Sequence, residues 1–343
     1  MVNLDLADLH SPGTVASALL DATGAWRPLT KYQSDPRYLG YATSALYGGL
    51  TGVRRVREPI RVLSFDAPRQ YARVASAIGV GRHLAAYSIR VRHRGVTEQA
   101  QQLLAIPGST IWDDPRFDLW SRAGFWFLAV RSRFDSLPHK ARYNAGADEW
   151  ILADNPIEFD GVLWWSIFDV ALSKIATGRI PEIVDGIQFV PYGVKEGLRP
   201  VRIRGGRQAR LDGRFDLYQA LVAATDRVRR DRRLPECQRV READHLKLVT
   251  EAAAFGQLAR FDPPIGTAGG TVYGPWGPVV TATPLERPGP WCWPPAAAAV
   301  CAGARLLLTL AVYRSGKMPG FEPIAFDTDS VTFALLDEAR GAV

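Results

Sequence analysis

Cysteine is scarce in this chain of 343 residues: there are three, Cys237, Cys292 and Cys301. None forms a C-x-x-C pair, and an odd number spread this widely builds no disulfide framework, so a disulfide-stapled fold is excluded and a reduced, cytoplasmic setting is expected. Lysine is scarce beside arginine, with 6 Lys among 42 cationic residues. Such a skew accompanies a GC-rich coding sequence as readily as phosphate binding, so it identifies no ligand by itself. Met1 is followed by Val-Asn-Leu-Asp-Leu, which lacks the basic start and apolar core of a secretory leader. The nearest run of membrane length, Pro294 to Tyr313, is Ala-rich in its first half and carries Arg305 mid-segment. That predicts a buried helix and no membrane partner. Internal repeats and low-complexity tracts are also absent.

Of the residues that are present, 47% are apolar, which excludes disorder and fibrous architecture. The length suits about two domains at roughly 100–200 residues each. A formal net charge of +7 permits a polyanionic partner without requiring one.

Residues 1 to about 57 mix polar and Gly-containing stretches, including Tyr47-Gly48-Gly49, and read as a lead-in to the core. Ile60 to Asp66 alternates in part and is rich in β-branched residues, which predicts a strand with Asp66 at its C-terminal tip; Pro68 then predicts the start of a helix through Arg73 and Ala77. A strand at Ala85 to Val91 and a helix at Thr97 to Ala105 follow. Next come β segments around Trp112 to Leu119, Gly124 to Val130 and Glu149 to Leu152. Apolar periodicity predicts a helix from Leu163 to Ile175 ended by Gly178, and strands are expected at Ile187 to Val190 and Val201 to Arg204. This is the frame of an α+β chain.

Asp216 to about Arg233 and Val240 to about Phe261 predict an antiparallel helical hairpin broken at Pro235. The first helix ends in Arg227, Arg229, Arg230, Arg232 and Arg233, cations that suit a helix C-terminus and would equally suit phosphate. Residues 262 to 293, rich in Gly and Pro, predict a loop or short hairpin, followed by a helix from about Ala296 to Arg314. The last pattern is two short apolar arms, within Ile324 to Ala334, around Asp327-Thr328-Asp329.

In extended backbone Asp327 and Asp329 share a side. Carboxylates held that close repel unless a cation lies between them, and a hard divalent ion takes oxygen ligands, although turns recruit Asp for hydrogen bonding alone. Asp66, also at a strand tip, would complete the carboxylate set of a two-metal site for in-line phosphoryl transfer. The arginine-rich hairpin, with Lys247 on its second helix, would supply cations to a triphosphate.

Here the residues resemble the family B DNA polymerases, in particular the compact branch of bacteria, phages and plasmids. Asp66-Ala67-Pro68-Arg69-Gln70-Tyr71-Ala72 is similar to motif A (Asp, two variable residues, Ser-Leu-Tyr-Pro), with Asp66 and Tyr71 matched and Arg69, Gln70 and Ala72 departing. Phe326-Asp327-Thr328-Asp329-Ser330 resembles motif C, Tyr-x-Asp-Thr-Asp-Ser. Lys247 to Gly256 resembles motif B, with Phe255 for its Tyr and Glu251 for its Asn. Tyr47-Gly48-Gly49 is one residue short of the Tyr-x-Gly-Gly segment before the palm. The resemblance covers roughly residues 40 to 338, with motifs A, B and C in order.

The resemblance implies a right-hand polymerase palm, an antiparallel sheet with packed helices, plus a helical-hairpin fingers subdomain. The expected organisation is a lead-in at 1–57, a first palm part at 58–212 with a β-rich insertion at about 106–160, fingers at 213–262, and a second palm part at 263–343. It implies Asp66, Asp327 and Asp329 as catalytic metal ligands for two Mg²⁺ ions, with Mn²⁺ as a substitute. Tyr71 would pack under the sugar of the incoming deoxynucleoside triphosphate. Lys247, helped by Arg227 or Arg229, would bind the triphosphate, and Phe255 would pack on the nascent base pair. The expected macromolecular partner is a DNA primer–template. The chain stops 14 residues after Asp329 and shows no Asp-x-Glu before the palm. Thumb and 3′–5′ exonuclease are therefore expected to be absent, which fits a truncated product, a split polymerase served by a separate chain, or a decayed relative. The competing readings are a noncatalytic nucleic-acid-binding remnant and a nuclease, the latter having no use for Tyr71 or the hairpin cations.

Overall fold

A computed structural model of the protein describes residues 11–335 except 54–59, 108–118, 132–136, 138–139, 145–148, 154–161, 205, 267–268, 275–276 and 283. Most of the β segment expected at Trp112 to Leu119 lies outside the described residues, and Leu119 itself opens a short helix, Leu119–Ala123. Six helices matter below: α1 (Pro12–Ala22), α2 (Gln70–Ala77), α3 (Ile167–Thr177), α4 (Leu217–Arg230), α5 (Glu236–Glu251) and α6 (Pro294–Ser315). The strands that matter are β1 (Thr51–Val53), β2 (Val62–Asp66), β3 (Phe125–Arg131), β4 (Leu163–Ser166), β5 (Glu182–Tyr192), β6 (Phe321–Asp327) and β7 (Ser330–Leu335). Helices and antiparallel sheets mix, as expected of an α+β chain. The chain divides into two compact units: Met1–Thr43, Arg69–Arg92 and Phe189–Val300 form one, and Ser44–Pro68, His93–Gln188 and Cys301–Val343 the other.

The first unit is mainly helical. Asp216 caps α4 by accepting from the Gln219 N–H at 2.9 Å, and Arg227, Arg229 and Arg230 occupy its last turn, where cations oppose the helix dipole. Leu217, Leu221, Ala224 and Val228 recur at helical spacing and are buried, so one stripe of α4 faces the interior. After residues 231–235 the chain returns as α5, which packs on α4 as the expected hairpin. Its end departs from expectation. The α-helix stops at Glu251, and Ala252–Gly256 form a π turn in which Gln257 N donates to Ala252 O at 2.7 Å. The helix expected from Pro68 instead starts at Gln70, because Arg69 takes φ 57°, a left-handed backbone that α-helix cannot pass through. Elsewhere in this unit Tyr32, Phe189 and Trp293 pack ring to ring at 5.6–6.1 Å.

The second unit holds a four-stranded antiparallel sheet in the order β1-β6-β7-β2. Val331 and Phe333 of β7 alternate inward and meet Leu308 of α6, and Leu50, Val312, Phe321 and Phe326 close around them. β2 is an edge strand with Val62 and Phe65 exposed. In the same unit β3 lies between β5 and β4, with Leu128 opposite Trp165. The helix expected from Leu163 is corrected here. Leu163 to Ser166 are strand, and α3 begins only at Ile167, where Ser166 caps it by accepting from Phe168 N at 3.3 Å. A short apolar run reads alike as buried strand or buried helix, so periodicity could not separate the two. Gly178 ends α3 in the left-handed region (φ 72°), as expected.

Candidate active site

In the second unit the sheet register gathers the three expected carboxylates. Ser330 is the register partner of Asp327 on one side and of Asp66 on the other, so Asp66, Asp327 and Asp329 stand at one end of one sheet. The Ala67 N–H donates to the Asp329 carbonyl at 2.7 Å, which ties the residue after Asp66 directly to Asp329. Asp66 and Asp327 are exposed and Asp329 is half-buried.

The geometry of the tip differs from the extended one expected. Because Asp327 pairs with Ser330, Thr328 and Asp329 must reverse the chain between them. Thr328 takes φ 51°, and Asp329 N donates to Asp327 O at 2.6 Å. Strand alternation therefore does not set the sides of the two carboxylates. A β-branched residue in left-handed backbone costs about 1–3 kcal/mol, which the neighbouring contacts must over-determine. Those contacts are present: Thr328 N donates to Leu50 O at 2.9 Å, Thr328 Oγ1 to Asp327 Oδ1 at 3.0 Å, and Ser330 Oγ to Asp327 O at 3.2 Å.

Carboxylate oxygens are the donors a hard divalent cation takes, and the register puts Asp66 beside Asp329, so the donor chemistry fits such an ion. Among the described residues, however, no three His, Cys, Asp or Glu side chains are grouped so as to hold a metal ion.

In the first unit, the aromatic pair of the sequence argument is in contact. Tyr71, in the first turn of α2, stacks on Phe255 of the π turn, with ring centroids 5.4 Å apart and planes 24° from parallel. The cations divide. Arg227 Nη2 donates to Ile203 O at 2.9 Å, which commits part of its guanidinium to the backbone. It lines a cleft of about 630 Å³ with Arg204, Asp226, Arg230, Asp231 and Arg233. Two of the arginines there are paired, Arg204 with Glu242 at 2.5 Å and Arg233 with Asp231 at 2.8 Å. Lys247 is exposed on α5, with neither hydrogen bond nor ion pair among the described residues.

Arg69 escaped the sequence argument except as a departure from motif A. It is 2% exposed and ion-paired through Nη2 with Asp226 of α4. Burial lowers its pKa against the opposing pull of Asp226, and the charges of Arg229 and Arg73 lower it further. Arg229 therefore acts beside Arg69 and Arg73. The available signal was Asp226 itself, one acid placed at the head of a run of arginines. Asp169 and Arg305 were missed as well, although a cation at the middle of a 22-residue apolar helix is a signal that it must have a partner.

No protein-family model matches the chain, and no curated protein matches it. Solved structures of Phi29 DNA polymerase are similar in fold. With primer–template DNA and incoming nucleotide bound, that polymerase matches at TM-score 0.44 and 10% identity, over 96% of this chain and 50% of that one. Its orthorhombic crystal form matches at TM-score 0.45 and 12% identity, over 95% and 49%. The chain thus spans about half the length of the solved structures it matches.

Proposed function

We propose that the chain is a DNA polymerase core of the family B kind, adding deoxynucleotides to a primer 3′ end on a DNA template. The observation that carries this reading is the register at Ser330, which has Asp327 as its partner on one strand and Asp66 on the other, with Asp329 next in sequence and hydrogen-bonded to Ala67. In this reading Asp66 and Asp329 hold a divalent cation, Mg²⁺ or Mn²⁺, and Asp327 stands alongside. A bound divalent cation supplies positive charge to the reacting phosphate and eases deprotonation of the attacking hydroxyl. Tyr71, its ring backed by Phe255, bars a 2′-hydroxyl because a stacked ring cannot yield space without losing contact. Lys247 and Arg229 neutralise the triphosphate. Arg227 has a lesser part, since it is already held by Ile203 O.

The test is extension of a labelled primer–template with Mg²⁺ and four deoxynucleoside triphosphates, run beside Asp329→Asn. Extension by the wild type that is lost in the variant is the expected result. Equal extension by both removes the carboxylates from the chemistry. One observation favours a second reading, a noncatalytic nucleic-acid-binding remnant: no three metal-binding side chains group among the described residues. A remnant would bind DNA with steep salt dependence in both proteins and extend in neither.

A further inference from the structure

Arg305 of α6 is 1% exposed and Asp169 of α3 is fully buried, and the two form a bidentate pair with Nε–Oδ1 and Nη2–Oδ2 both at 2.9 Å. The remaining nitrogen, Nη1, donates to two consecutive backbone carbonyls, Tyr47 O at 2.8 Å and Gly48 O at 2.7 Å. The guanidinium carbon lies 5.6 Å from the centre of the Tyr47 ring, which stacks on Trp165 at 4.9 Å. A pair this buried requires all its bonds, so it pins Tyr47 and Gly48.

The segment that follows is pressed onto the carboxylate hairpin. A Cβ on Gly49 would collide with the Thr328 side chain, and one on Gly52 with the Phe326 ring, so two glycines allow a close approach there. Leu50 O accepts from Thr328 N at 2.9 Å, and Thr51 is the register partner of Asp327. Thr328 is the residue in left-handed backbone between the two carboxylates.

We infer that Asp169 and Arg305 are positioning residues for the carboxylate turn: they fix the Tyr47–Gly48 carbonyls and, through residues 49–52, hold Thr328 in the backbone that sets Asp327 against Asp329. The inference rests on the polymerase reading, in which those carboxylates hold a divalent cation. Neither residue touches the cation or substrate. A lysine at 305 has one ammonium in place of a planar fork, so it cannot serve the carboxylate and both carbonyls at once.

Mn²⁺ binding to the full chain, read from the loss of the free-ion electron paramagnetic resonance signal, needs no turnover. The wild type is expected to bind and Asp329→Asn to lose binding. Arg305→Lys and Gly49→Ala are expected to weaken binding at least fivefold while far-ultraviolet circular dichroism stays that of the folded protein. Wild-type affinity in Asp329→Asn overturns the carboxylate reading and this inference with it. Lost binding in Asp329→Asn, together with wild-type affinity in folded Arg305→Lys, overturns the positioning role alone. Should Arg305→Lys fail to fold, Gly49→Ala decides, because it disturbs the same link without stranding a buried charge; wild-type affinity there overturns the positioning role.

Discussion

The carboxylate sheet of the second unit and the arginine-rich hairpin of the first both present charge at the ends of regular elements, and they hold that charge in opposite ways. At the sheet, backbone does the holding: strand register, the Ala67 and Leu50 hydrogen bonds, and a buried arginine behind them fix where Asp66 and Asp329 stand. At the hairpin, side chains hold one another. Arg233 pairs with Asp231, Arg204 with Glu242 and Arg69 with Asp226, mostly at the surface. A charge fixed by backbone can be aimed, whereas an exposed charge paired with its neighbour is partly neutralised. Among the described residues Lys247 and Arg229 have no such acidic partner, which leaves their charge for a phosphate.

Five substitutions break or sharpen that contrast. The largest expected effect is at the sheet: Asp66→Asn should lower single-turnover extension roughly a thousandfold, the several kcal/mol that an aimed cation supplies. Next is Arg305→Met, which strands Asp169 in the interior and should lower unfolding free energy in urea by about 3–5 kcal/mol, most of it recovered when Asp169→Leu is added. A loss no larger than that of a surface pair would end the contrast between the two regions.

Smaller effects are expected at the hairpin. Lys247→Ala should raise the nucleotide KM about tenfold, or about 1.4 kcal/mol, with stability unchanged. Arg227→Ala should do the reverse, costing about 1 kcal/mol of stability through the lost bond to Ile203 O and moving KM less. Wild-type KM in Lys247→Ala would dismiss the motif B resemblance. The smallest effect belongs to Arg233→Ala. Hydrogen bonds from Arg233 bring the Asp231 carboxyl down to about 2 from 3.8. A folded-state pKa below the unfolded one means the pair's contribution is present above 3.8 and is lost as pH falls through 2. The pair lies at the surface, with Arg233 exposed and Asp231 half-buried, so the urea midpoint at pH 7 should not move measurably on substitution.

Much of the sheet end was legible. Asp66 at a strand tip and a hairpin around Asp327 to Ser330 follow from apolar alternation broken by turn formers. The turn itself was not, because alternation assumes extended backbone and only tertiary contacts keep Thr328 left-handed. The helical hairpin was also legible, from the Asp216 cap to the break at Pro235. The pairing of Arg69 was not legible, because charged residues next to a helix start are normally solvated and only the fold reveals Asp226 beside it. β4 was taken for helix because four buried residues in a row carry no period. Arg305 was weighed only against a membrane, when its presence in an apolar helix already required a buried acid.

The π turn at Ala252–Gly256 has a consequence for insertions and deletions. It holds more residues per turn than the α-helix before it, so removing one would let ordinary helix run on and swing every later side chain by about 100°. Phe255 would leave the face of Tyr71 without any change to Phe255 itself. Ala252 is only half-buried, so Ala252→Ser should be silent in a variant library while deletion of the same residue is not. At this position a change of chain length is expected to cost more than a change of side chain.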